Sequence, residues 1–91
     1  MNTINLDFSK CKYIGDVHYE IKNKFGFPDY YGEKLDALWD CLDYYTTEKL
    51  TVEILGFMNI EKLFYDYASR IKVILERVSF NSSNINFKFL S

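Results

Sequence analysis

The sequence has few of the residues on which catalytic and metal sites depend. Its 91 residues include one histidine, His18, and two cysteines, Cys11 and Cys41. The cysteines show neither CxxC spacing nor a paired histidine, so the motifs of metal and redox sites are absent. We expect both cysteines to be buried or half-buried free thiols in a reducing compartment. His18 has no serine, cysteine or acid at the spacing of a known triad motif, and we expect it to be a packed or capping residue.

Glycine, proline and long apolar runs are also scarce. The four glycines stand apart from one another, so no glycine-rich loop is available to hold a phosphate. No apolar run approaches the ~20 residues that a membrane-spanning helix needs. Residues 1–7 lack the basic and apolar regions of a signal peptide. These absences predict a cytoplasmic protein with no membrane partner.

What the sequence does contain is typical of a folded globular protein. Hydrophobic residues make up 48% of the chain and aromatic residues 19%, a high aromatic share that argues against disorder. A chain of this length buries roughly 60–65% of the surface that its unfolded form exposes. No repeat, low-complexity tract or linker divides it. We therefore expect a single domain that spans residues 1–91.

The periodicity of the apolar residues predicts strands separated by helices. Alternation at residues 4–8 and 85–89 predicts the first and last strands, and the apolar run at residues 50–55 predicts a middle strand covered on both sides. Helical spacing predicts helices near residues 15–25, 34–43 and 69–78, and Asn59 is a candidate N-cap for a further helix or for the first part of a broken one. Strands joined by helical crossovers favour an α/β fold: a two-layer, three-stranded parallel sheet packed with helices.

Charge is distributed unevenly along the chain. The net charge is −2 overall, but residues 29–53 carry seven acids against two lysines, a net charge of −5. A concentrated negative field speeds encounter with a basic partner and repels nucleic acid. The segment therefore predicts a basic protein partner and argues against direct binding of nucleic acid.

The predicted helix at residues 34–43 carries its acids on one side. At about 100° per residue, its leucines share one face: Leu35, Leu38 and Leu42. The acids lie about 80–140° from Leu35: Asp36, Asp40 and Asp43. Trp39 falls between the two faces. Asp36 and Asp40 form an i,i+4 like-charge pair that costs a few tenths of a kcal/mol, so stability alone does not favour this arrangement.

Three interpretations of the acidic face are open. It can be an ordinary solvated surface, or Asp36 and Asp40 can act as paired catalytic carboxylates. Catalysis would require one carboxyl group to be held protonated, and a solvated pair flanked by further acids is expected to be ionised. The third interpretation is a protein interface, which the aromatic residues on either side of the acids favour. These residues are Tyr30, Tyr31, Trp39, Tyr44 and Tyr45.

Residues 28–33, Pro-Asp-Tyr-Tyr-Gly-Glu, and 35–42, Leu-Asp-Ala-Leu-Trp-Asp-Cys-Leu, closely resemble the signature of the barstar family of intracellular ribonuclease inhibitors. The likeness extends to the first helix and to the last strand, and it is weak between residues 56 and 84. The resemblance implies a protein that is not an enzyme, uses no cofactor or metal, and binds a basic, barnase-like microbial ribonuclease one to one. It implies that the acidic helix enters the active site of the nuclease and mimics RNA phosphate.

The resemblance also implies roles for individual residues. Asp40 matches the carboxylate that enters the phosphate site, Asp36 matches a neighbouring charge contact, and Tyr30 matches the aromatic residue that packs on a catalytic histidine. The partner-binding residues expected from the acidic helix and its flanks are Tyr30, Tyr31, Lys34, Leu35, Asp36, Trp39, Asp40, Asp43, Tyr44 and Tyr45.

Several positions depart from the family pattern. Lys34, Asp43, Tyr44 and Tyr45 stand where barstar has Asn, Thr, Gly and Trp, and these changes fit a cognate nuclease other than barnase. A further family carboxylate near the end of the last long helix has two candidate positions here, Glu76 and Arg77. An alternative function is that of a barstar-like immunity or regulatory module for a basic protein that is not a ribonuclease.

Overall fold

The computed structural model describes residues 2–27, 35–44 and 49–90, without the side chains of residues 2, 43 and 44. In chain order the elements are β1 (Asn2–Asp7), α1 (Ile14–Phe25), α2 (Leu35–Tyr44), β2 (Leu50–Leu55), α3 (Phe57–Leu63), α4 (Tyr65–Asn81) and β3 (Ile85–Leu90). This order of strands and helices confirms the predicted one. Of the two alternatives for residues 57–81, the structure has two helices, which meet at Phe64.

The three strands form one parallel sheet in the order β1-β2-β3, which confirms the predicted α/β fold. The register aligns Leu6, Ile54 and Phe89 in one row, in which Leu6 and Ile54 are buried in the core and the Phe89 ring contacts Phe57 of α3. The prediction that β2 is covered on both sides was wrong. Its buried residues alternate with half-buried Thr51 and Glu53, the pattern of a sheet with one solvated face.

Side chains of α1 cover the outer edge of β1. The backbone N–H of Asp7 donates to Glu20 Oε2 at 2.9 Å, and Lys24 Nζ donates to the carbonyl oxygen of Asn5 at 3.1 Å. Lys24 and Glu20 are themselves paired at 3.2 Å. Because these bonds satisfy edge groups that could pair with another strand, the edge of β1 is poorly suited to strand addition.

Asn59 does not cap a helix, contrary to the sequence prediction. Helix α3 begins at Phe57, after Gly56, which has a left-handed backbone with φ of 72°. The Asn59 side chain instead donates two hydrogen bonds of 2.9 Å, to the carbonyl oxygens of Phe8 and Cys11. It therefore ties α3 to the loop that follows β1.

Helix α4 is the longest element of the described part of the chain and begins earlier than predicted, at Tyr65. Its buried residues lie on one face: Ala68, Ile71, Leu75 and Val78. It packs against β3, α3 and α2. Because α2 rests on α4, the acidic helix is held on a long support whose inner face is buried in the core.

Candidate protein-binding site

Helix α2 has a buried face and a charged face. Leu38 and Leu42 are fully buried, with 0% of their surface exposed, whereas Asp36 and Asp40 are exposed. This is the division that the helical periodicity predicted. The leucines anchor the helix in the core, and the two carboxylates are held outward about one turn apart.

Trp39 lies at the boundary between these faces. It is half-buried and packs against the core cluster, as its intermediate position on the helix predicted. Its indole lines a groove of about 270 Å³ together with Asp36 on α2 and with Ile74 and Arg77 on α4. An aromatic ring that is partly packed and partly exposed beside charged groups is the kind of side chain that anchors protein interfaces.

The groove continues along the contact between the two helices. A second portion, of about 390 Å³, is lined by Leu35 and Asp36 of α2 and by Ser69, Arg70, Val73 and Ile74 of α4. We call the two portions together the α2–α4 groove. Its acidic wall comes from α2 and its basic wall from α4, with apolar side chains between them.

Burial and the charge of Asp40 act together on a neighbouring thiol. Burial raises the pKa of the Cys41 thiol, and the carboxylate of Asp40 raises it further. Burial also raises the pKa of Cys11, to about 11, helped by the charges of Asp16, Glu20 and Asp7. Cys11 is buried and Cys41 half-buried, both as free thiols, which confirms the predicted packing. Raised pKa values keep both thiols protonated and poorly nucleophilic near neutral pH.

The structure distinguishes Glu76 from Arg77, the two candidate positions for the further family carboxylate on α4. Arg77 lines the α2–α4 groove with Asp36 and Trp39. Glu76 does not line that groove. It lines a depression with Phe87 and Phe89 of β3 and shares another with Arg77 on the outer side of α4. The side chain that faces α2 is therefore a guanidinium. The acid beside it lies outside the groove.

The sequence reasoning missed the contribution of Arg70, Val73 and Ile74 to the groove. A signal for them was present, because positions 70, 73, 74 and 77 recur at helical spacing beside the buried residues of α4. They were missed because the reasoning followed only the acidic helix, and the pairing of α2 with α4 is a tertiary contact.

The structure describes only part of the predicted site. Tyr30, Tyr31, Lys34 and Tyr45 lie outside the described residues, and so do the side chains of Asp43 and Tyr44. The described portion brings together Leu35, Asp36, Trp39 and Asp40 on α2. Their use as partner-binding residues stays a prediction.

His18 is a packed residue, as the sequence predicted. It has 0% of its surface exposed, its Nε2 lies 2.6 Å from the hydroxyl oxygen of Tyr67, and the two rings meet edge to face. Burial also raises the pKa of Tyr67. The pair joins α1 to α4 in the interior, where it supports the fold and is closed to a substrate.

The described ranges 2–27, 35–44 and 49–90 contain no group of three or more histidine, cysteine or acidic residues arranged to hold a metal ion. Within the same ranges, every helix is too short or too polar to span a membrane.

Comparison with known proteins identifies the family. The family model described as "Barstar (barnase inhibitor)" matches residues 1–91. The chain is also 34% identical over 76 residues to the Bacillus subtilis (strain 168) protein named "Putative ribonuclease inhibitor YrdF", and the match covers 84% of each chain. The family match includes the acidic helix and its support, α4. The chain belongs to the barstar family.

Proposed function

We propose that this protein inhibits a basic microbial ribonuclease by placing the charged face of α2 in the active site of the nuclease. The observation that carries the proposal is the arrangement of Asp36 and Asp40, both exposed on the solvent face of a helix whose other face is fixed in the core. The pair costs the free protein stability. A partner that supplies cations to both groups offsets that cost on binding.

The chemistry of inhibition is phosphate mimicry. A ribonuclease active site binds the phosphate of RNA with arginine, lysine and histidine side chains. A carboxylate presents two oxygens that accept charge-assisted, often bidentate hydrogen bonds from arginine. Asp40, exposed and one turn beyond Asp36, acts as the phosphate mimic, and half-buried Trp39 packs beside it against the rim of the site.

The family relationship supports an inhibitor rather than an enzyme. The related Bacillus subtilis protein carries the name of a ribonuclease inhibitor. We infer a one-to-one complex that protects the cytoplasm of the producing cell from its own nuclease. The proposed binding surface is completed by Tyr30, Tyr31 and Lys34 before α2, by Asp43 and Tyr44 at its end, and by Tyr45 after it.

The test is titration of the protein against purified secreted ribonucleases of the barnase class, barnase among them, with pancreatic ribonuclease A as an unrelated control. Fluorogenic RNA hydrolysis reports inhibition. We expect stoichiometric inhibition of at least one barnase-class enzyme and none of ribonuclease A. If no barnase-class enzyme is inhibited, the proposal is wrong.

A pair of variants tests the role of Asp40. Asp40→Asn keeps the shape of the side chain and removes its charge, and we expect it to weaken inhibition by about 2–5 kcal/mol, the usual cost of removing one member of a buried charge pair at an interface. Glu53→Gln removes the same charge from the sheet face away from the groove, so it controls for net charge. Equal inhibition by both variants would contradict the phosphate-mimic role.

A further inference from the structure

The α2–α4 groove has walls of opposite charge that are not joined to each other. Asp36 lies on one wall and Arg77 on the other, around the same space of about 270 Å³. No ion pair within 4 Å joins Asp36 to Arg70 or Arg77 in the part of the chain that the structure describes. The guanidinium groups therefore keep their donors available to a partner.

The two arginines occupy one stripe of α4. They are seven residues apart, and at about 100° per residue they point within about 20° of each other. Arg70 has an acid, Asp66, four positions earlier in the first turn of α4. The residues three and four positions from Arg77 are uncharged: Val73, Ile74, Phe80 and Asn81. Of the two arginines, Arg77 is therefore the one that has no acidic residue one helical turn away.

Apolar surface surrounds Arg77 on the outer side of α4. Val73 is 47% exposed and Phe80 is 91% exposed, and both line a depression of about 520 Å³ with Arg77, Glu76 and Asn81. Because Val73 and Arg77 also line the α2–α4 groove, this apolar surface is continuous with the candidate site. An exposed phenylalanine beside an arginine has the composition of an interface contact.

A nuclease that covers α2 and α4 together therefore meets surfaces of opposite charge. Asp36 and Asp40 require cations opposite α2. A cation opposite Arg77 would be placed against a like charge in a region from which water is excluded, and such contacts oppose binding. A carboxylate there would instead receive the guanidinium in a bidentate pair.

We propose that Arg77 determines which ribonuclease this protein inhibits, by pairing with an acidic side chain at the edge of the nuclease active site. The proposal rests on the proposed function. It adds a second contact, in which the nuclease supplies an acidic side chain. Cations of the nuclease face α2, and an Asp or Glu faces Arg77 within an apolar contact formed by Val73 and Phe80.

The test uses the barnase-class ribonuclease that the wild-type protein inhibits most tightly, with association and dissociation rates measured for each variant. Arg77→Glu removes the contact and also makes the inhibitor more negative by two charges. Lys62→Glu is the matched control, because Lys62 is an exposed residue of α3 that does not line the groove. It makes the same change of net charge.

The two effects of Arg77→Glu act on different rates. The added negative charge speeds association with a basic nuclease in both variants. Loss of the local contact increases the dissociation rate only in Arg77→Glu, and we expect an increase of at least about tenfold, against less than about threefold for Lys62→Glu. Reversing the charge of the facing nuclease acid, by Asp→Lys or Glu→Lys, should restore tight binding to Arg77→Glu.

The outcomes separate this inference from the proposed function. If Asp40→Asn loses inhibition while Arg77→Glu dissociates as slowly as the wild type or more slowly, the role of Arg77 is wrong and the function stands. If Arg77→Glu loses inhibition while Asp40→Asn keeps it, Arg77 contacts the partner and the phosphate-mimic role of Asp40 is wrong. If the wild-type protein inhibits no barnase-class enzyme, both proposals fall.

Discussion

Gly56 lies against the backbone of Ser9 so closely that a Cβ atom at Gly56 would stand 2.4 Å from the Ser9 amide nitrogen. The same glycine has a φ of 72°, in the region that favours glycine. Two independent constraints therefore meet at the start of α3, one conformational and one steric. The contact seats the loop after β1 on the beginning of α3.

Gly56→Ala is expected to destabilise the protein by at least about 2 kcal/mol, because strain at positive φ adds to a clash with backbone that cannot move away cheaply. Chemical denaturation measures the change. Gly26 shares the φ of 72° but has open space around its Cβ position, and Gly15 in α1 has open space and ordinary helical backbone. Gly26→Ala should cost about 1 kcal/mol, and Gly15→Ala should be neutral or stabilising. Equal effects at all three sites would contradict the steric argument.

Asn59 is expected to stabilise the protein through its two bonds to the carbonyl oxygens of Phe8 and Cys11. Asn59→Ala leaves two partly buried carbonyl groups without donors and should cost about 1–3 kcal/mol. Asn59→Asp should cost more, because a carboxylate cannot donate and would face the two carbonyl oxygens. Denaturation of the two variants at neutral pH gives the comparison, and an aspartate variant more stable than the alanine variant would show that the amide does not act as the donor.

Local pattern predicted much of this molecule. The burial of Leu38 and Leu42 and the exposure of Asp36 and Asp40 follow from helical periodicity alone. The role of Asn59 could not be read in that way, because its partners lie about 50 residues earlier in the chain and its residue type is also typical of a cap.

The choice between neighbouring positions on α4 also required the tertiary structure. Glu76 and Arg77 are adjacent in sequence, and a shift of one residue in alignment exchanges their roles. About 100° of rotation around the helix separates them, and only the packing of α2 on α4 shows which of the two faces the groove. Burial of β2 was overestimated for a related reason, since an apolar run does not reveal which face of a sheet the helices cover.

Asp16 is expected to make the stability of the protein depend on pH in acid solution. Its Oδ2 accepts the backbone N–H groups of Lys12 and Tyr13, each at 3.0 Å, and these bonds lower the pKa of the carboxyl group below its usual 3.8. A carboxyl group whose pKa is lowered by folding stabilises the protein above the pKa of the unfolded chain, and that contribution is lost as pH falls through the folded pKa. Asp16→Asn should therefore be less stable than the wild type at pH 7.

The difference between the two proteins should shrink as pH falls from about 5 to below 3, as measured by chemical denaturation at each pH. Asp66→Asn removes a charge from the first turn of α4, where no side-chain hydrogen bond to Asp66 occurs in the described part of the chain. It controls for the loss of an acid near the start of a helix. A wild-type advantage over Asp16→Asn that is the same at pH 3 and pH 7 would contradict the assignment.

Association with the nuclease is expected to slow with added salt. The segment from residue 29 to residue 53 has a net charge of −5, and its field attracts a basic partner over a distance that salt shortens to about 8–10 Å at physiological ionic strength. Stopped-flow measurements from low to physiological salt should show the association rate falling steeply and the dissociation rate changing little. An association rate that does not change over this range would contradict electrostatic steering.

Neutralising the acids of α2 should stabilise the free protein while weakening the complex. Asp36 and Asp40 are both exposed and one turn apart, so they repel each other in the free protein, and neither has an ion-pair partner within 4 Å in the described part of the chain. Replacing either with asparagine should raise the free energy of unfolding by about 0.2–0.5 kcal/mol, although the lower helix propensity of asparagine opposes part of the gain. Inhibition should fall with the same variants, most strongly for Asp40→Asn.

The paired measurement is thermal or chemical denaturation of the free variants beside inhibition of the nuclease. Residues selected only for folding would change both properties in the same direction or leave inhibition unchanged. If stability rises while inhibition falls, the charges are retained for binding a partner. The repulsion between the carboxylates destabilises the free helix and is relieved only when cations of the nuclease bind beside them. A variant that loses both stability and inhibition would indicate that the acidic face has an ordinary structural role.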